Sequence, residues 1–478
     1  MPEHILKDRD CEFSHFSRLS TKQCQKLHAA ALEVMERTGV RIFYQEALDL
    51  FKSADADITD GNRVRIPAKL VEHALECAPK QISLANRYVK TVLSLEKNHC
   101  YFGPGSDCLN IIDHRTGERR SGLLNDVIEG TILCDALPMV DFVMSMVLPS
   151  DVDKAICDRY QMEVMLSHTI KPIVFVSYDY KGTEDIIEMG ETVAGGEEAL
   201  KNSPFIICLA NPVTGLKHNK ESLQKLLYCA EKGVPVIYAP GARGGLTAPV
   251  TPAATTVIGL VGMLTGLVLS QLKCPGSKFI ASGVTGSTLD FRTMVGPYAN
   301  PAAGMGHAMS RYYNLPNFNI GGATDAKVLD QQSAAEAALT LMTGVLSGGH
   351  LIHDMGYLEQ ALTYSFPQLV LCNEIASWVK HYMRCPVIDN ETLALDLIDE
   401  IGPDGDFIKT KHTYAHFKEH WYSDLFERKT YENWIETGEE TLSQRAVKKV
   451  EHVLAEHQPD LLPQDIRKRL KLIVARSQ

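Results

Sequence analysis

From Lys97 to about residue 400 the chain alternates between short apolar runs rich in β-branched residues and longer stretches of helical periodicity, completing that cycle eight times. The runs begin near Cys100, Val140, Pro172, Phe205, Pro235, Lys278, Asn317 and Gly349. Helical patterns follow them at 123–137, 153–167, 183–194, 219–232, 252–272, 301–313, 331–346 and 366–383. A strand always followed by a helix cannot pair with its successor through a hairpin, so the sheet it builds is parallel. Eight such units predict an α/β fold closed into a (β/α)8 (TIM) barrel. An open, doubly wound sheet is the alternative. No Gly-x-Gly-x-x-Gly follows the first run to support a dinucleotide site. Gly241-Ala242-Arg243-Gly244-Gly245 lacks the spacing and the Lys-Ser/Thr of a phosphate loop.

The barrel is expected over residues 97–400, between a mainly helical N-terminal cap (1–96) and a helical C-terminal extension (401–478). In the cap, Thr21 is placed to N-cap a helix running from Lys22 to Gly39, with Leu27, Ala30, Ala31, Val34 and Met35 on one stripe. Further helices are predicted over 44–53 and 67–77, with a polar turn at Asp60-Gly61-Asn62. In the extension Val447, Val450, Val453 and Leu454 share a face, expected to pack on the barrel wall or on a second subunit of a homo-oligomer.

The apolar stretch 253–272 is long enough to cross a bilayer. Thr255, Thr256, Gly259, Gly262, Thr265 and Gly266 interrupt it where a helix would press on a sheet, so it is read as a buried helix and no membrane is expected as a partner. The first ten residues are too polar for a signal peptide. The 12 cysteines include no Cys-x-x-Cys, and several lie inside apolar runs. They read as reduced thiols of a cytoplasmic protein. A net charge of -11 argues against nucleic acid as a partner.

In a parallel barrel the chemistry sits where the strands end. The candidate segments are therefore 103–107, 149–151, 177–180, 211–212, 238–241, 282–283, 321–322 and 353–356. They hold aromatics and polar groups but no convergent metal set. His350 and His353 are three apart, so on a strand only one of them looks into the barrel. His412, His416 and His420 recur every four residues and would share a helix face. They are read as a polar surface or subunit contact rather than a zinc site. With no His-Glu-x-x-His and no Gly-x-Ser-x-Gly elbow, no metal, general acid, base or nucleophile is assigned. A metal-dependent barrel enzyme and a non-catalytic small-molecule-binding barrel remain as alternatives.

Whole phrases carry a more specific signal. Leu19-Ser20-Thr21-Lys22-Gln23 leads to Leu27-His28-Ala29-Ala30-Ala31-Leu32-Glu33-Val34-Met35-Glu36-Arg37-Thr38-Gly39-Val40. Later come Val64-Arg65-Ile66-Pro67, Asp113-His114-Arg115-Thr116-Gly117-Glu118-Arg119-Arg120 and Gly321-Gly322-Ala323-Thr324-Asp325-Ala326-Lys327-Val328-Leu329-Asp330-Gln331-Gln332. His412-Thr413, His416, Trp421, Leu425, Arg428, Tyr431 and Trp434 follow near the C-terminus. In this order, over most of the chain, the phrases resemble the trimethylamine methyltransferase family. The resemblance implies a barrel enzyme that moves a methyl group from an amine to the cob(I)alamin of a partner corrinoid protein, with no cofactor held by the chain itself. The trimethylamine branch of that family carries pyrrolysine in the barrel. This sequence has standard residues throughout, and so resembles the branch without it, whose members use quaternary amines. Glycine betaine is the first expectation, with dimethylglycine as product; proline betaine, carnitine and gamma-butyrobetaine are alternatives.

Such a substrate asks for aromatic faces around its trimethylammonium head, each worth about 0.5–2 kcal/mol, and for a charge-assisted anchor on its carboxylate. The candidates for the cage are Tyr101, Tyr178, Tyr238, Tyr357 and Phe366. Those for the anchor are Arg311, His350 and His353, with His350 favoured. Asp325 and Glu359 are candidates for facing the cation.

Overall fold

The computed structural model describes residues 16–282, 288–297 and 304–477. Seven strands pair in parallel in the order Tyr101–Pro104, Leu351–Met355, Asn317–Ile320, Phe279–Ser282, Val236–Tyr238, Ile206–Ala210 and Ile173–Phe175. The gap between the first and last of these is closed by residues 141–144. There Val143 bridges Ile173 in parallel, Val143 N donates to Pro172 O at 2.9 Å, and Asp141 N donates to Phe102 O at 2.6 Å. The result is a closed barrel with eight positions around its wall. The second position is irregular for a local reason: the Asp141 carboxylate, ion-paired with Lys380 at 3.0 Å, accepts the Phe102 N–H at 2.9 Å and takes the place of a ladder bond. Every apolar run of the sequence falls on one of these eight positions. Helices follow at Leu124–Ala136, Cys157–His168, Tyr180–Ala194, Lys220–Lys232, Pro252–Lys273, Met305–Tyr312, Gln331–Leu346 and Phe366–Tyr382. Gly283 and residues 301–303, which sequence placed at a strand end and a helix start, lie outside the described residues.

Alternate residues on each strand point inward. Phe142, Met144, Val174, Ile207, Leu209, Ile237, Ile280, Phe318 and Leu351 form one apolar cluster inside the wall, separate from the larger core between wall and helices. A hairpin, Ile82–Ala85 with Thr91–Leu95, inserts Ile82, Leu84, Leu93 and Leu95 into the same cluster. Tyr101, at the start of the first strand, holds this hairpin by accepting Ser94 N–H at 3.0 Å on its hydroxyl. The strand-start end is thereby plugged, and only the strand-end mouth is open.

The cap carries helices Thr21–Arg37, Gln45–Ser53 and Ala68–Cys77. Ser20, rather than Thr21, is the N-cap. It forms a capping box with Gln23, whose side chain returns to Ser20 N at 2.9 Å. The cap is less purely helical than its periodicity implied. Val40–Ile42, Asp57–Thr59 and Arg63–Arg65 make a small sheet joined by Lys217–His218. Helix Pro252–Lys273 is long and apolar enough to cross a membrane by composition, and it packs between the barrel wall and the cap helices. Gly266 lets it close onto the Tyr238 ring, where a Cβ would overlap the ring atoms. The C-terminal helices Leu442–Glu456 and Gln464–Arg476 pack on barrel helices. Cys385 is disulfide-bonded, which differs from the expectation of reduced thiols throughout; ten other cysteines are free.

Candidate active site

The barrel mouth is floored by Met144, Val176, Leu209, Ala239 and Phe318 from the inner apolar cluster. One step further along their strands stand Tyr178 and Ile320, 42% and 43% exposed where a wall residue facing a closed core would be covered. An apolar floor open to one side can seat a small ligand and strip water from it.

On one side of this mouth a carboxylate is half-buried. Asp107 follows the first strand and accepts hydrogen bonds from Ser145 Oγ at 2.8 Å and Gln161 Nε2 at 3.2 Å. Burial pushes its pKa above the ordinary carboxylate range, against the opposing pull of those two donors. Beside it the Tyr178 hydroxyl lies 3.1 Å from Cys157 Sγ. Burial, then that contact, raises the Tyr178 phenol, and the Cys157 thiol is pushed up to about 11. Both groups are therefore held neutral at neutral pH.

Three non-glycine residues in the left-handed backbone region end three neighbouring wall positions. These are Asp107 (φ 63°), Met146 (φ 64°) and Asp354 (φ 87°). Each such conformation costs on the order of 1–3 kcal/mol. The close packing that holds them starts at Gly103 and Gly105, whose missing Cβ atoms leave room for the Phe142 and Tyr357 rings.

Next to the first strand in the wall order, the eighth strand presents His353 inward. Its ring stacks on Phe318 with centroids 3.8 Å apart, and its Nδ1 lies 2.6 Å from Asp354 Oδ1. Below the Tyr178 loop, Arg159 is buried among carboxylates: Asp158 at 2.9 Å, Asp179 at 3.0 Å and Asp185 at 3.4 Å. Asp158 Oδ2 accepts Tyr178 N–H at 3.0 Å, so this network sets the position of the tyrosine.

Of the residues expected from sequence, Tyr178 and His353 are brought to the mouth. Tyr357 is just behind it, buried, with its hydroxyl donating to Ser106 O and its edge on Tyr364. The rest stand elsewhere. Tyr101 faces inward but at the plugged end. Tyr238 points outward into the wall–helix core, its hydroxyl 2.8 Å from His218 Nδ1. Phe366 is buried at the start of the last barrel helix, against Tyr364. His350 precedes the eighth strand, where its Nδ1 accepts Asn317 N–H at 3.2 Å. Arg311 lies near the end of the helix that leads into the seventh strand, against Gly348. Both therefore sit at the plugged end, across the barrel from the mouth. Asp325 is in the loop after the seventh strand, its backbone N–H donating to Glu336 at 2.7 Å. Glu359 is engaged by Arg119 at 3.0 Å and Thr363 at 2.6 Å. Sequence reasoning passed over Asp107 and Gln161. Asp107 was visible as the acid ending the first strand's loop, whereas Gln161 sits on a helix and carried no signal.

The family description trimethylamine methyltransferase (MTTB) matches residues 5–478. A trimethylamine methyltransferase MttB of Desulfitobacterium hafniense (strain DSM 10664 / DCB-2) is 32% identical over 95% of this chain and 92% of its own. A glycine betaine methyltransferase of D. hafniense (strain Y51) is 27% identical over 96% and 97%. The crystal structure of the Methanosarcina barkeri monomethylamine methyltransferase (MtmB) superposes with a TM-score of 0.50 at 11% identity, over 94% of this chain and 90% of that one. It shares the fold.

Proposed function

The chain belongs to the trimethylamine methyltransferase family, and from that premise we propose that it transfers a methyl group from a quaternary amine to the cob(I)alamin of a partner corrinoid protein. The observation that carries this reading is Asp107, a carboxylate set into the edge of an apolar floor. A half-buried anion whose burial already raises its pKa is costly without an ionic partner within hydrogen-bond reach, and a cationic ligand relieves that cost. A quaternary ammonium also fits the neutral surroundings of Tyr178, whose ring face attracts cations.

The chemistry asks little else of the protein. In a quaternary amine the C–N bond breaks with its electron pair returning to nitrogen, so a neutral tertiary amine leaves without being protonated. The corrinoid supplies the attacking nucleophile. Asp107 would hold the cationic head, His353 the carboxylate end, and the apolar floor would exclude water while the methyl group faces outward. Trimethylamine lacks that fixed charge. In the trimethylamine branch of the family it is handled by pyrrolysine, and this chain has standard residues only. The similarity to a glycine betaine methyltransferase supports a betaine, and glycine betaine is the first choice.

The mouth also suits a protein partner. Val213, Leu246, Val250, Phe291 and Met294 are all at least half exposed on loops leaving the fourth, fifth and sixth wall strands. Two of these loops stack, Leu289 N donating to Gly244 O at 3.1 Å. Apolar side chains gathered around a mouth mark an interaction surface. The test is a panel of glycine betaine, proline betaine, carnitine and trimethylamine mixed with chemically reduced cob(I)alamin and the protein. Loss of cob(I)alamin absorbance with a betaine, and none with trimethylamine, is expected. Turnover of trimethylamine alone would overturn the assignment.

A further inference from the structure

The geometry points to a divalent transition-metal site, best suited to zinc, formed by Glu391, His412 and His416 in the C-terminal extension. One ligand atom from each of these residues lies within 4.8 Å of the others. Around a tetrahedral zinc, ligand atoms stand roughly 3.4 Å apart, so small side-chain rotations close the set. His412 and His416 sit one turn apart on the helix Lys411–His416, with ring centroids 4.5 Å apart. Glu391 comes from a separate helix, Asn390–Leu393.

Two further observations point to a ligand. The Nε2 of His412 is shielded from solvent and has no hydrogen-bond partner among the described residues. His416 is already arranged as metal-binding imidazoles are: Nε2 is 2.9 Å from Glu391, and Nδ1 is 2.8 Å from the carboxylate of Glu419. With zinc on Nε2, the Nδ1 proton would be held by Glu419, which fixes tautomer and ring direction.

The surroundings give such a site a purpose. No residue from 380 to 424 is buried, and this stretch of chain has no core of its own. Glu391 and His412 line a cleft of about 910 Å³ between its short helices. A metal clamp can replace a core that a short segment is unable to build. The segment starts where the last barrel helix ends, at the plugged end of the barrel. The metal would be structural, and its presence or absence leaves the transfer reading untouched. The competing account is that His416 is an imidazolium bridging two carboxylates.

The test uses the full chain, stripped with a chelator and titrated with zinc chloride by calorimetry. Cobalt(II) absorption then reads the coordination geometry. Uptake of one equivalent is expected, with affinity at least tenfold weaker in His412→Ala and in Glu391→Gln. Zinc should also slow tryptic cleavage at Lys409, Lys411 and Lys418 in the unsubstituted protein and not in the variants. Both substitutions are on partly exposed side chains, and a circular dichroism melt confirms that each variant is folded. Uptake below one equivalent, or an affinity in both variants equal to that of the unsubstituted protein, would overturn the site in favour of the imidazolium bridge.

Discussion

The imidazole of His353 lies flat on the ring of Phe318, 3.8 Å between centroids and 8° from parallel, while its Nδ1 faces Asp354 at 2.6 Å. The stack fixes the plane of the ring. Nε2 is the atom available to a ligand, and as an N–H it would donate to a carboxylate. A hydrogen bond to a charged ligand group is worth about 1.5–3 kcal/mol. His353→Ala is therefore expected to lower kcat/KM for a betaine roughly ten- to hundredfold. Its Tm should change little, because an aromatic stack contributes about 0.5–1.5 kcal/mol. Steady-state assays beside thermal melts separate the two effects. A loss of stability as large as the loss of activity would show His353 to be a core residue.

Asp107 yields a pH signature. Burial raises its pKa, so on acidification it becomes neutral earlier than an ordinary carboxylate. The neutral form has no attraction for a cation. KM for the betaine should therefore rise as pH falls, beginning above the usual range near about 4. Asp107→Asn should show a KM roughly tenfold higher that no longer varies with pH. The stability sign is opposite. A carboxyl whose folded pKa is raised stabilises the fold when protonated, and that contribution is lost as pH rises through the folded value. At neutral pH the Asn variant should therefore melt no lower than the native chain, and a lower Tm would contradict the assignment.

The Arg159 network is a stability prediction. The guanidinium is buried, and so are the Asp158 and Asp185 carboxylates that it contacts. Removing one partner of a buried ion pair strands the other, at a cost of about 3–5 kcal/mol. Arg159→Met should lose that much in denaturant unfolding. Because Asp158 also receives the Tyr178 N–H, kcat/KM should fall as well. Stability equal to that of the native chain would mean that the carboxylates find other partners.

The barrel was legible because its signal is a rhythm, strand then helix, that survives local irregularity. Even the wall position at 141–144, held by the Asp141 side chain, reads as an apolar run. The direction of individual side chains was not legible, for a physical reason. Strands of a parallel barrel are buried on both faces, so they lack the polar–apolar alternation that marks inside from outside. Tyr238 was accordingly expected in the cage, and it points to His218 and Gly266 instead. Which end of a strand a residue occupies is decided by where the strand begins. His350 and His353 differ by three positions, yet His350 precedes the strand Leu351–Met355 on the plugged side while His353 lies within it and faces the interior. The hairpin that plugs the barrel could not be foreseen, because its apolar residues look like those of any cap.

His350 carries the last prediction, since its place at the plugged end changes what its removal should do. Burial holds its pKa down to about 4, as it does for His307, while His218 is held to about 3. Unfolded histidine titrates near about 6.5. Between those values the unfolded chain binds protons that the folded chain refuses. The stability present above the unfolded value is therefore lost as pH falls toward 4. Each such histidine adds up to about 1.4 kcal/mol per pH unit to the slope in that window. Urea unfolding from pH 7 to 4.5 should show this decline, and His350→Gln should reduce its slope by about one proton. KM for the betaine should be unchanged at pH 7.5 in that variant, because the side chain lies across the barrel from the mouth. A raised KM with an unaltered acid slope would return His350 to the substrate, as the sequence alone had placed it.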